Sequence, residues 1–326
     1  MRPFSLVQPP TLSDLVSFLA RGNGQIALLA GGTDLYSLLK DEIVKPEVMV
    51  DLSPLKELAG LKQEKDFLRI GALTTINDLA SSPIIQKNFP GLKQAAQSIG
   101  SPQLRNVGTI GGNLCQRPRC WYFRDPLFLC RKKGGARCFA VQGRNKYHAI
   151  FGGGICNIVH PSDLAPALIS LEARVKIVSS GGEKEMALSD FFSPPSVSLR
   201  QENKLQPGEV LTEIIVPNPS PRLKSTYLKF TERGSWDFAV VSVAATAEIQ
   251  GRSLLKPHFV LGGVAPIPWR LTNFEKMIEG QNIQEKMVAA AALEALKESR
   301  PMSENAYKID LAAVLLARAA MSLISR

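Results

Sequence analysis

The chain has 326 residues, of which 45% are hydrophobic and 21% are charged, and its net charge at neutral pH is +10. This length and composition predict a globular protein of two or three domains, and no apolar run approaches the roughly 20 residues that a membrane helix needs. Prolines and Asp14 interrupt the start, "MRPFSLVQPPTLSDL", so we expect no signal core, no membrane insertion and a cytoplasmic location, where thiols stay reduced.

Strand and helix patterns alternate over the first hundred residues. A helix is predicted for "TLSDLVSFLAR", which has apolar residues at helical spacing behind Thr11, a residue that can cap with Asp14. "QIALLAGG" is predicted as a short buried strand that ends in two glycines, "TDLYSLLKDE" as a helix, and "EVMVDL" and "FLRIGA" as two further strands. Residues 74–100 are predicted to be mainly helical. This order indicates a small sheet with parallel strands near the N-terminus.

The second half of the chain has the pattern of antiparallel structure. Five segments are predicted as strands joined by turns that contain proline or glycine: "ARVKIVS", "EVLTEIIVP", "STYLKFTE", "FAVVSVAATAEI" and "HFVLGGVA". The Pro-rich stretch "VPNPSPRL" at 216–223 is the best candidate linker. "NIQEKMVAAAALEALKES" and "NAYKIDLAAVLLARAAMSLISR" predict two closing helices that Pro301 separates.

Two glycine-rich segments and one polar turn are candidates for binding an anion. "LLAGGTDL" (28–35) places consecutive glycines between a strand and a helix, which exposes backbone amides and points a helix N-terminus at a ligand. "SPQLRNVGTIGGN" (101–113) and "HPSDL" (160–164) follow. Taken alone, each is compatible with an ordinary turn, and the glycines form neither a GxGxxG fingerprint nor a Walker loop.

The cysteine-rich segment "CQRPRCWYFRDPLFLCRKKGGARC" (115–138) holds four of the five cysteines. Between Arg117 and Lys146 nine basic residues face one acid, Asp125, so this part of the chain carries +8 of the net charge of +10. A disulfide knot, a nucleic-acid patch and a metal site are the functional alternatives, and a solvated basic surface is the structural one. The odd number of cysteines and the reducing compartment argue against disulfides.

The motifs "AGGTDL", "QLRNVGTIGGN" and "HPSDLAPAL", in this order and spacing, resemble the FAD-binding medium subunit of the molybdenum hydroxylases, the xanthine dehydrogenase and carbon monoxide dehydrogenase group. The likeness extends through "RGSWDFAVVSVAA" (233–245) and "LGGVAPIPWR" (261–270) to the final helix. It implies an α+β fold. A two-subdomain FAD-binding domain (PCMH/vanillyl-alcohol-oxidase-like) would span residues 1–218, with an iron-sulfur insertion at about 115–156. A C-terminal domain of the CO dehydrogenase flavoprotein type, an antiparallel sheet with helices, would span 222–326.

The resemblance also implies how FAD is bound. The first glycine loop, residues 29–35, would wrap the pyrophosphate through its amides, because a diphosphate needs several N–H donors at close range. The second loop, residues 109–113, would lie against the flavin, with Ile110 near the ring system. Asp163 would accept a hydrogen bond from a ribityl or ribose hydroxyl, and Lys229 would approach the polar edge of the flavin unless it is an ordinary exposed strand lysine. The implied cofactor-binding residues are Leu28, Leu29, Ala30, Gly31, Gly32, Thr33, Asp34, Leu35, Arg105, Thr109, Ile110, Gly112, Asn113, Ser162, Asp163 and Lys229.

The cysteine-rich segment is an insertion between the second and third motifs, and it resembles the iron–sulfur branch of the family. That branch includes 4-hydroxybenzoyl-CoA reductase and the periplasmic aldehyde oxidoreductase, whose pattern "QRxRCxYFxD" is close to "QRPRCWYFRD" here. Spacing alone predicts neither a ferredoxin nor a zinc ribbon. Cys115 is the spare cysteine, although a set in which it replaces Cys156 stays open, and His148 and His160 are weaker metal-ligand candidates. The ligands of a 4Fe-4S cluster that the branch implies are Cys120, Cys130, Cys138 and Cys156.

The function that the resemblance implies is electron transfer without substrate chemistry, so no catalytic residue is predicted. Electrons would pass from the 2Fe-2S centres of a small partner subunit through FAD to an external acceptor, while a large molybdopterin-cofactor subunit acts on the substrate. The insertion favours an aldehyde oxidoreductase over a 4-hydroxybenzoyl-CoA reductase-like complex. A single-chain FAD oxidase and a basic, zinc-stabilised nucleic-acid-binding module are the competing functions. Export with a signal-bearing partner would place the protein in the periplasm instead.

Overall fold

The structure is a computed structural model that describes residues 1–22 and 25–325. Within these residues the strands form three sheets. The strands are β1 (Ser5–Val7), β2 (Ile26–Leu29), β3 (Val48–Asp51), β4 (Leu61–Gln63), β5 (Phe67–Gly71), β6 (Arg174–Ser179), β7 (Gly182–Ala187), β8 (Val210–Pro217), β9 (Leu223–Phe230), β10 (Val241–Gln250), β11 (Ser253–Gly262) and β12 (Trp269–Arg270).

The α-helices are short in the first two thirds of the chain and longer near its end. They are α1 (Leu12–Arg21), α2 (Leu35–Lys40), α3 (Ile76–Ser81), α4 (Pro83–Asn88), α5 (Pro90–Gln97), α6 (Pro102–Val107), α7 (Ile110–Leu114), α8 (Trp121–Arg124), α9 (Leu164–Ser170), α10 (Leu188–Phe191), α11 (Thr272–Ile278), α12 (Glu285–Ala295) and α13 (Tyr307–Ile324). None of the helices in the described ranges is both long and apolar enough to cross a membrane.

The N-terminal sheet is parallel, as predicted, with the order β1-β3-β2. Thr11 caps α1 as expected, because its hydroxyl oxygen accepts a hydrogen bond from the amide of Asp14 at 3.1 Å. The strand "FLRIGA" does not extend this sheet. It forms β5, which pairs antiparallel with β8 in a second sheet of order β4-β5-β8-β6-β7. The predicted helical stretch at 74–100 is confirmed as α3, α4 and α5.

The five strands predicted for the second half are all present and antiparallel, but they divide between two sheets. β6 and β8 complete the five-stranded sheet, while β9, β10 and β11 form a four-stranded sheet of order β12-β11-β10-β9. The predicted closing helices correspond to α12 and α13, and α13 packs on β10. The sequence pattern identifies strands but not their partners, which are set by contacts distant along the chain.

One hydrophobic core joins the two larger sheets. Buried side chains of β5 and β8 share it with α5, α9 and the inner side of the C-terminal sheet, including Tyr227 and Val260. The side-chain carbonyl of Gln94 on α5 accepts the amide of Tyr227 at 2.8 Å, and the hydroxyl of Ser225 accepts the amide of Gly91 at 3.0 Å. Apolar packing therefore holds the sheets against each other, and hydrogen bonds between side chains and backbone amides join α5 to β9.

The insertion is mostly irregular and depends on its surroundings for order. Between α7 and α9 it contains only the single turn α8 and two short 3-10 turns. Residues at and just before the start of α13 hold the C-terminal part of the insertion, at 147–149. The amide nitrogen of the Asn305 side chain donates to the carbonyls of His148 and Ala149, and the Lys308 ammonium donates to the carbonyl of Tyr147 at 2.9 Å and that of Gly263 at 2.7 Å.

Lys308 should make stability depend on pH. Its side chain is completely buried, and burial lowers its pKa to about 7. Between pH 7 and the ordinary lysine value of about 10.4 the unfolded chain binds the extra proton, so stability should rise by up to about 1.4 kcal/mol per pH unit. Unfolding free energies at pH 7 and 9 should therefore differ more in the wild type than in Lys308→Met. Lys297→Met, at an exposed position, serves as the control; an equal pH dependence in wild type and Lys308→Met would contradict the assignment.

Candidate functional site

The first glycine loop follows β2 and reaches the second glycine-rich segment by direct backbone contact. A Cβ on Gly31 would lie 2.1 Å from the carbonyl oxygen of Val107 and 2.9 Å from the Cα of Gly108, so only glycine permits this approach. Gly32 has a φ of +70°, which also favours glycine. The backbone amides of Gly31, Gly32 and Thr33 donate no hydrogen bond to another part of the described chain. They are free donors for a ligand.

The second glycine loop is held rigidly against the five-stranded sheet and its neighbours. The amide of Ile110 donates to the carbonyl of Thr74 at 2.9 Å, and that of Gly111 donates to the carbonyl of Ala72 at 2.8 Å. Thr109 caps α7, since its hydroxyl oxygen accepts the amide of Gly112 at 3.1 Å. The two loops thus form fixed, adjoining walls.

A groove of about 550 Å³ runs between these walls. The C-terminal half contributes Trp236, Asp237 and Phe238 to its lining, and Arg119 comes from the insertion. Among the residues expected to bind the cofactor, the groove brings together Leu28, Ala30, Gly31, Gly32, Thr33, Asp34, Leu35, Thr109, Gly112, Asn113 and Asp163.

The other expected residues lie outside the groove lining. Leu29 and Ile110 are buried in hydrophobic clusters below it. The Arg105 guanidinium donates to the carbonyl of Ile99 at 2.9 Å and steadies the backbone before α6. Ser162 donates its hydroxyl to the side-chain oxygen of Asn113, a groove residue. Lys229 likewise acts through a neighbour, Asp163.

Asp163 is a buried carboxylate whose orientation is fixed from behind. The Lys229 ammonium donates to one of its oxygens at 2.8 Å and the Tyr227 hydroxyl to the other at 2.6 Å. Burial raises the pKa of Asp163, an effect that the Lys229 cation opposes. The alternative of an ordinary exposed lysine is wrong, because the side chain of Lys229 is only 7% exposed. The carboxylate keeps lone pairs available to a hydroxyl in the groove.

A second chamber of about 370 Å³ continues from the groove toward the insertion. Arg119, Asp163 and Phe238 line both spaces. The far wall of the chamber carries Cys120 and His148. The groove and the chamber therefore adjoin, and the chamber borders the cysteine-rich segment.

Four cysteines line one small buried cavity beyond this chamber, and these are Cys120, Cys130, Cys138 and Cys156. The rings of Tyr122 and Phe139, which stack with centroids 6.0 Å apart, help to enclose it. Cys115 lines the groove instead and packs against the main core. No disulfide links any of the five. Across the two described ranges, no three cysteine, histidine or carboxylate side chains converge closely enough to hold a single metal ion.

Two polar side chains approach sulfur atoms of this cavity. The His148 Nε2 lies 3.3 Å from the Cys120 sulfur, and the Asn157 side-chain amide donates to the Cys138 sulfur at 3.6 Å. Burial lowers the pKa of His148 to about 4, so the ring is neutral at pH 7. Burial also raises the pKa of Cys120 to about 12 and that of Cys156 to about 11, which keeps these thiols protonated unless a metal replaces the proton. His160 does not line this cavity.

The basic residues of the insertion are mainly anchors. Six of the nine form ion pairs with carboxylates outside the segment. In five of these six pairs the partners are more than 80 residues apart along the chain. Arg119 and Arg124 pair with Asp34, Arg117 and Lys132 with Glu202, Arg144 with Glu304, and Lys146 with Glu232. Most of the basic residues in the predicted positive run are therefore paired, and four carboxylates offset half of its net charge of +8.

Sequence reasoning assigned no role to the aromatic residues that close the groove from the C-terminal side. Trp236 is 66% exposed and has a φ of +51°, which is rare for a residue with a side chain. Phe238 is 44% exposed and lies under the Arg119 guanidinium at 4.7 Å. The segment "RGSWDF" contributed only to the family resemblance, and the signal available in the sequence was two aromatic residues next to Gly234 and Ser235.

Comparison with known proteins decides the family. Residues 2–219 match the family model "FAD binding domain in molybdopterin dehydrogenase", and residues 226–323 match "CO dehydrogenase flavoprotein C-terminal domain". The chain is an FAD-binding subunit of the molybdenum hydroxylase family. This confirms the resemblance that the three motifs indicated, and with it the predicted α+β fold class.

Relatives of this FAD-binding subunit match over almost its whole length. The aldehyde oxidoreductase FAD-binding subunit PaoB of Escherichia coli is 37% identical over 297 residues, which cover 89% of this chain and 88% of that protein. The carbon monoxide dehydrogenase medium chain of Hydrogenophaga pseudoflava is 27% identical, with 97% and 95% covered. A solved structure of carbon monoxide dehydrogenase from the same organism, which lacks the Mo-pyranopterin moiety, superposes with a TM-score of 0.77 at 25% identity over 100% of both chains.

Gly31→Ala should abolish flavin binding by this FAD-binding subunit. The added methyl group would lie 2.1 Å from a backbone oxygen, so the two glycine loops must separate. We expect loss of flavin absorbance from the purified protein with little change in its circular dichroism. Gly181→Ala is the matched control, because its nearest neighbour would be a serine hydroxyl at 3.6 Å. Full flavin content in Gly31→Ala would contradict the role of this contact.

Proposed function

We propose that the chain transfers electrons between the redox centres of partner subunits and an external acceptor, with FAD in the groove and a 4Fe-4S cluster in the four-cysteine cavity. The observation that carries this proposal is that the three spaces adjoin and share lining residues. Arg119 and Asp163 line both the groove and the chamber, and Cys120 and His148 line both the chamber and the cysteine cavity. Such an arrangement suits a chain of redox groups separated by short distances.

The residues of the groove suit FAD. The free amides of Gly31, Gly32 and Thr33 would donate to the pyrophosphate, and the glycine loops leave room for it. Asp163, held by Lys229 and Tyr227, would orient a hydroxyl of the ribityl or ribose group. When bound, FAD supplies the one- and two-electron chemistry, and the protein positions it and limits the access of water. No side chain is required to act on the substrate.

The four-cysteine cavity suits an iron–sulfur cluster better than a single ion. Four thiols surround one buried space, and the described residues hold no tighter group of ligands. The corners of an iron–sulfur cube lie farther apart than the ligands of one zinc ion, so its ligands need not converge on a point. The Asn157 amide and the neutral His148 ring would hydrogen bond to ligand sulfurs, which tunes the potential of such centres.

The partners follow from the relatives. The relatives include a medium chain of carbon monoxide dehydrogenase and the FAD subunit of an aldehyde oxidoreductase. We propose that this chain assembles with a large molybdopterin-cofactor subunit and a small 2Fe-2S subunit, and that the complex oxidises aldehydes. The 37% identity to the aldehyde oxidoreductase subunit, against 27% to the carbon monoxide dehydrogenase medium chain, supports aldehydes as the substrate class.

An anaerobic electron-transfer experiment on the purified complex tests this function. Added aldehyde should reduce the 2Fe-2S centres and then bleach the flavin absorbance near 450 nm, about where oxidised flavins absorb. After the flavin is removed, the aldehyde should still reduce the 2Fe-2S centres, but reduction of an external acceptor should stop. A purified complex without flavin absorbance would exclude the proposal. If aldehydes left the 2Fe-2S centres oxidised and the complex turned over only aromatic acyl-CoA esters, the substrate assignment would be wrong.

Replacing the cysteines one at a time tests the cluster. The wild-type chain should contain about four iron and four acid-labile sulfide atoms in addition to those of the partner subunits. Both contents should fall in each of four single variants: Cys120→Ser, Cys130→Ser, Cys138→Ser and Cys156→Ser. Cys115→Ser is the control within the same segment, because this residue lies outside the cavity. Unchanged iron in the four variants, or one zinc in place of iron, would contradict the assignment.

A further inference from the structure

The side chain of Asp34, at the end of the first glycine loop, is occupied by the insertion. Its carboxylate accepts the backbone amide of Arg117 at 2.8 Å, the Arg119 guanidinium at 2.7 Å and the Arg124 guanidinium at 2.6 Å. Aspartate in this position ordinarily caps the following helix, but Asp34 makes no capping hydrogen bond to α2. We call Asp34 with these three arginines the Asp34 clamp.

Arg124 fixes the geometry of the Asp34 clamp. Besides Asp34, its guanidinium donates to the Ser37 hydroxyl at 3.0 Å and to the carbonyls of Pro118 at 2.8 Å and Arg117 at 3.1 Å. The Ser37 hydroxyl in turn donates to the backbone carbonyl of Asp34 at 2.9 Å. The side chains of Asp34 and Arg124 are only 17% and 16% exposed, so solvent screens this pair weakly. Arg124 therefore positions both the backbone of the first glycine loop, through Ser37, and the carboxylate of Asp34.

The Asp34 clamp is joined directly to the four-cysteine cavity. Cys120 immediately follows Arg119, and the single turn α8 begins after Cys120 and ends at Arg124, whose amide donates to the Cys120 carbonyl. Phe123 on this turn lines the cavity and packs with Cys130. On the other side, the same small hydrophobic cluster contains Leu38 of α2, which lines the groove. A polar and an apolar contact therefore connect the same two sites.

We propose that the Asp34 clamp makes binding of FAD and binding of the cluster mutually dependent. This inference rests on the proposed function, since it assumes that both groups are bound. The insertion has almost no regular structure, and Cys120 lies directly between Arg119 and the turn that ends at Arg124, so ligation of Cys120 would fix the part of the insertion that carries both arginines. With the insertion ordered, Arg119 and Arg124 hold the first glycine loop in the conformation that binds pyrophosphate. Because coupling is reciprocal, bound FAD also retains the cluster.

Charge gives the coupling a second physical basis. Asp34 lines the groove, so a bare carboxylate there would repel the pyrophosphate of FAD. The two guanidinium groups neutralise it and leave a net positive charge beside the loop amides. Loss of the cluster would release the arginines and expose this repulsion. Asp34, Arg119 and Arg124 are thus positioning residues, and none needs to touch the cofactor.

A two-by-two binding experiment on the full complex tests the coupling. FAD dissociation constants are measured by flavin fluorescence after reversible deflavination, with the 4Fe-4S cluster intact or removed by chelation, in the wild type and in Arg119→Gln/Arg124→Gln. Cluster removal should weaken FAD binding by about 10-fold in the wild type, within the usual range of couplings between sites, and by less than about 2-fold in the double variant. Arg144→Gln, which breaks an exposed ion pair elsewhere in the insertion, should respond as the wild type does.

Three further readouts separate coupling from general damage. Arg124→Lys keeps the charge, so its FAD affinity should lie between those of Arg124→Gln and the wild type. Bound FAD should slow the release of iron to a chelator in the wild type but not in the double variant. Equal FAD affinity with and without the cluster in the wild type would overturn the inference, as would a full cluster effect in the double variant. A wild-type complex that binds no FAD, or no iron beyond that of the 2Fe-2S subunit, would instead refute the proposed function and the coupling with it.

Discussion

Ion pairs between the insertion and two distant carboxylates organise the candidate site. Asp34 and Glu202 each accept two basic side chains from a segment that has no sheet and only one turn of α-helix. Glu202 and Lys132 are almost fully buried and lie in contact with each other, and removing either partner would leave an uncompensated buried charge. The surrounding fold therefore fixes the shape of the insertion, and the cations of the insertion pair with the carboxylates of Asp34 and Glu202.

Local elements and motifs were predictable from the sequence, whereas the partners of each element were not. The cap of α1, the glycine loops and the closing helices follow from short-range patterns. β5 leaves the parallel sheet because it pairs with β8, more than 100 residues away. The strands of the second half divide between two sheets because β8 pairs with β5 and β6 and not with β9. For the same reason, the basic run resembled a free positive surface although most of it is paired.

The candidate site shows the same division between chemistry and geometry. The motifs identified residues that line the groove, but five of the expected cofactor-binding residues lie outside the lining: Leu29, Arg105, Ile110, Ser162 and Lys229. Sequence patterns report which residues accompany a function and do not report which way a side chain points. Trp236 and Phe238 carried no assigned role because their position beside the groove results from packing of the C-terminal sheet against the N-terminal part.

The pairing of Asp34 and Glu202 with the insertion also bears on how such a segment can be gained or lost. A protein that lacked these cations would hold two poorly solvated carboxylates without partners, one of them lining the groove. An inserted segment of this kind is thus not a removable module. Transplanting it into a flavoprotein that lacks it would require the acidic residues on the recipient as well as the cysteines on the donor segment.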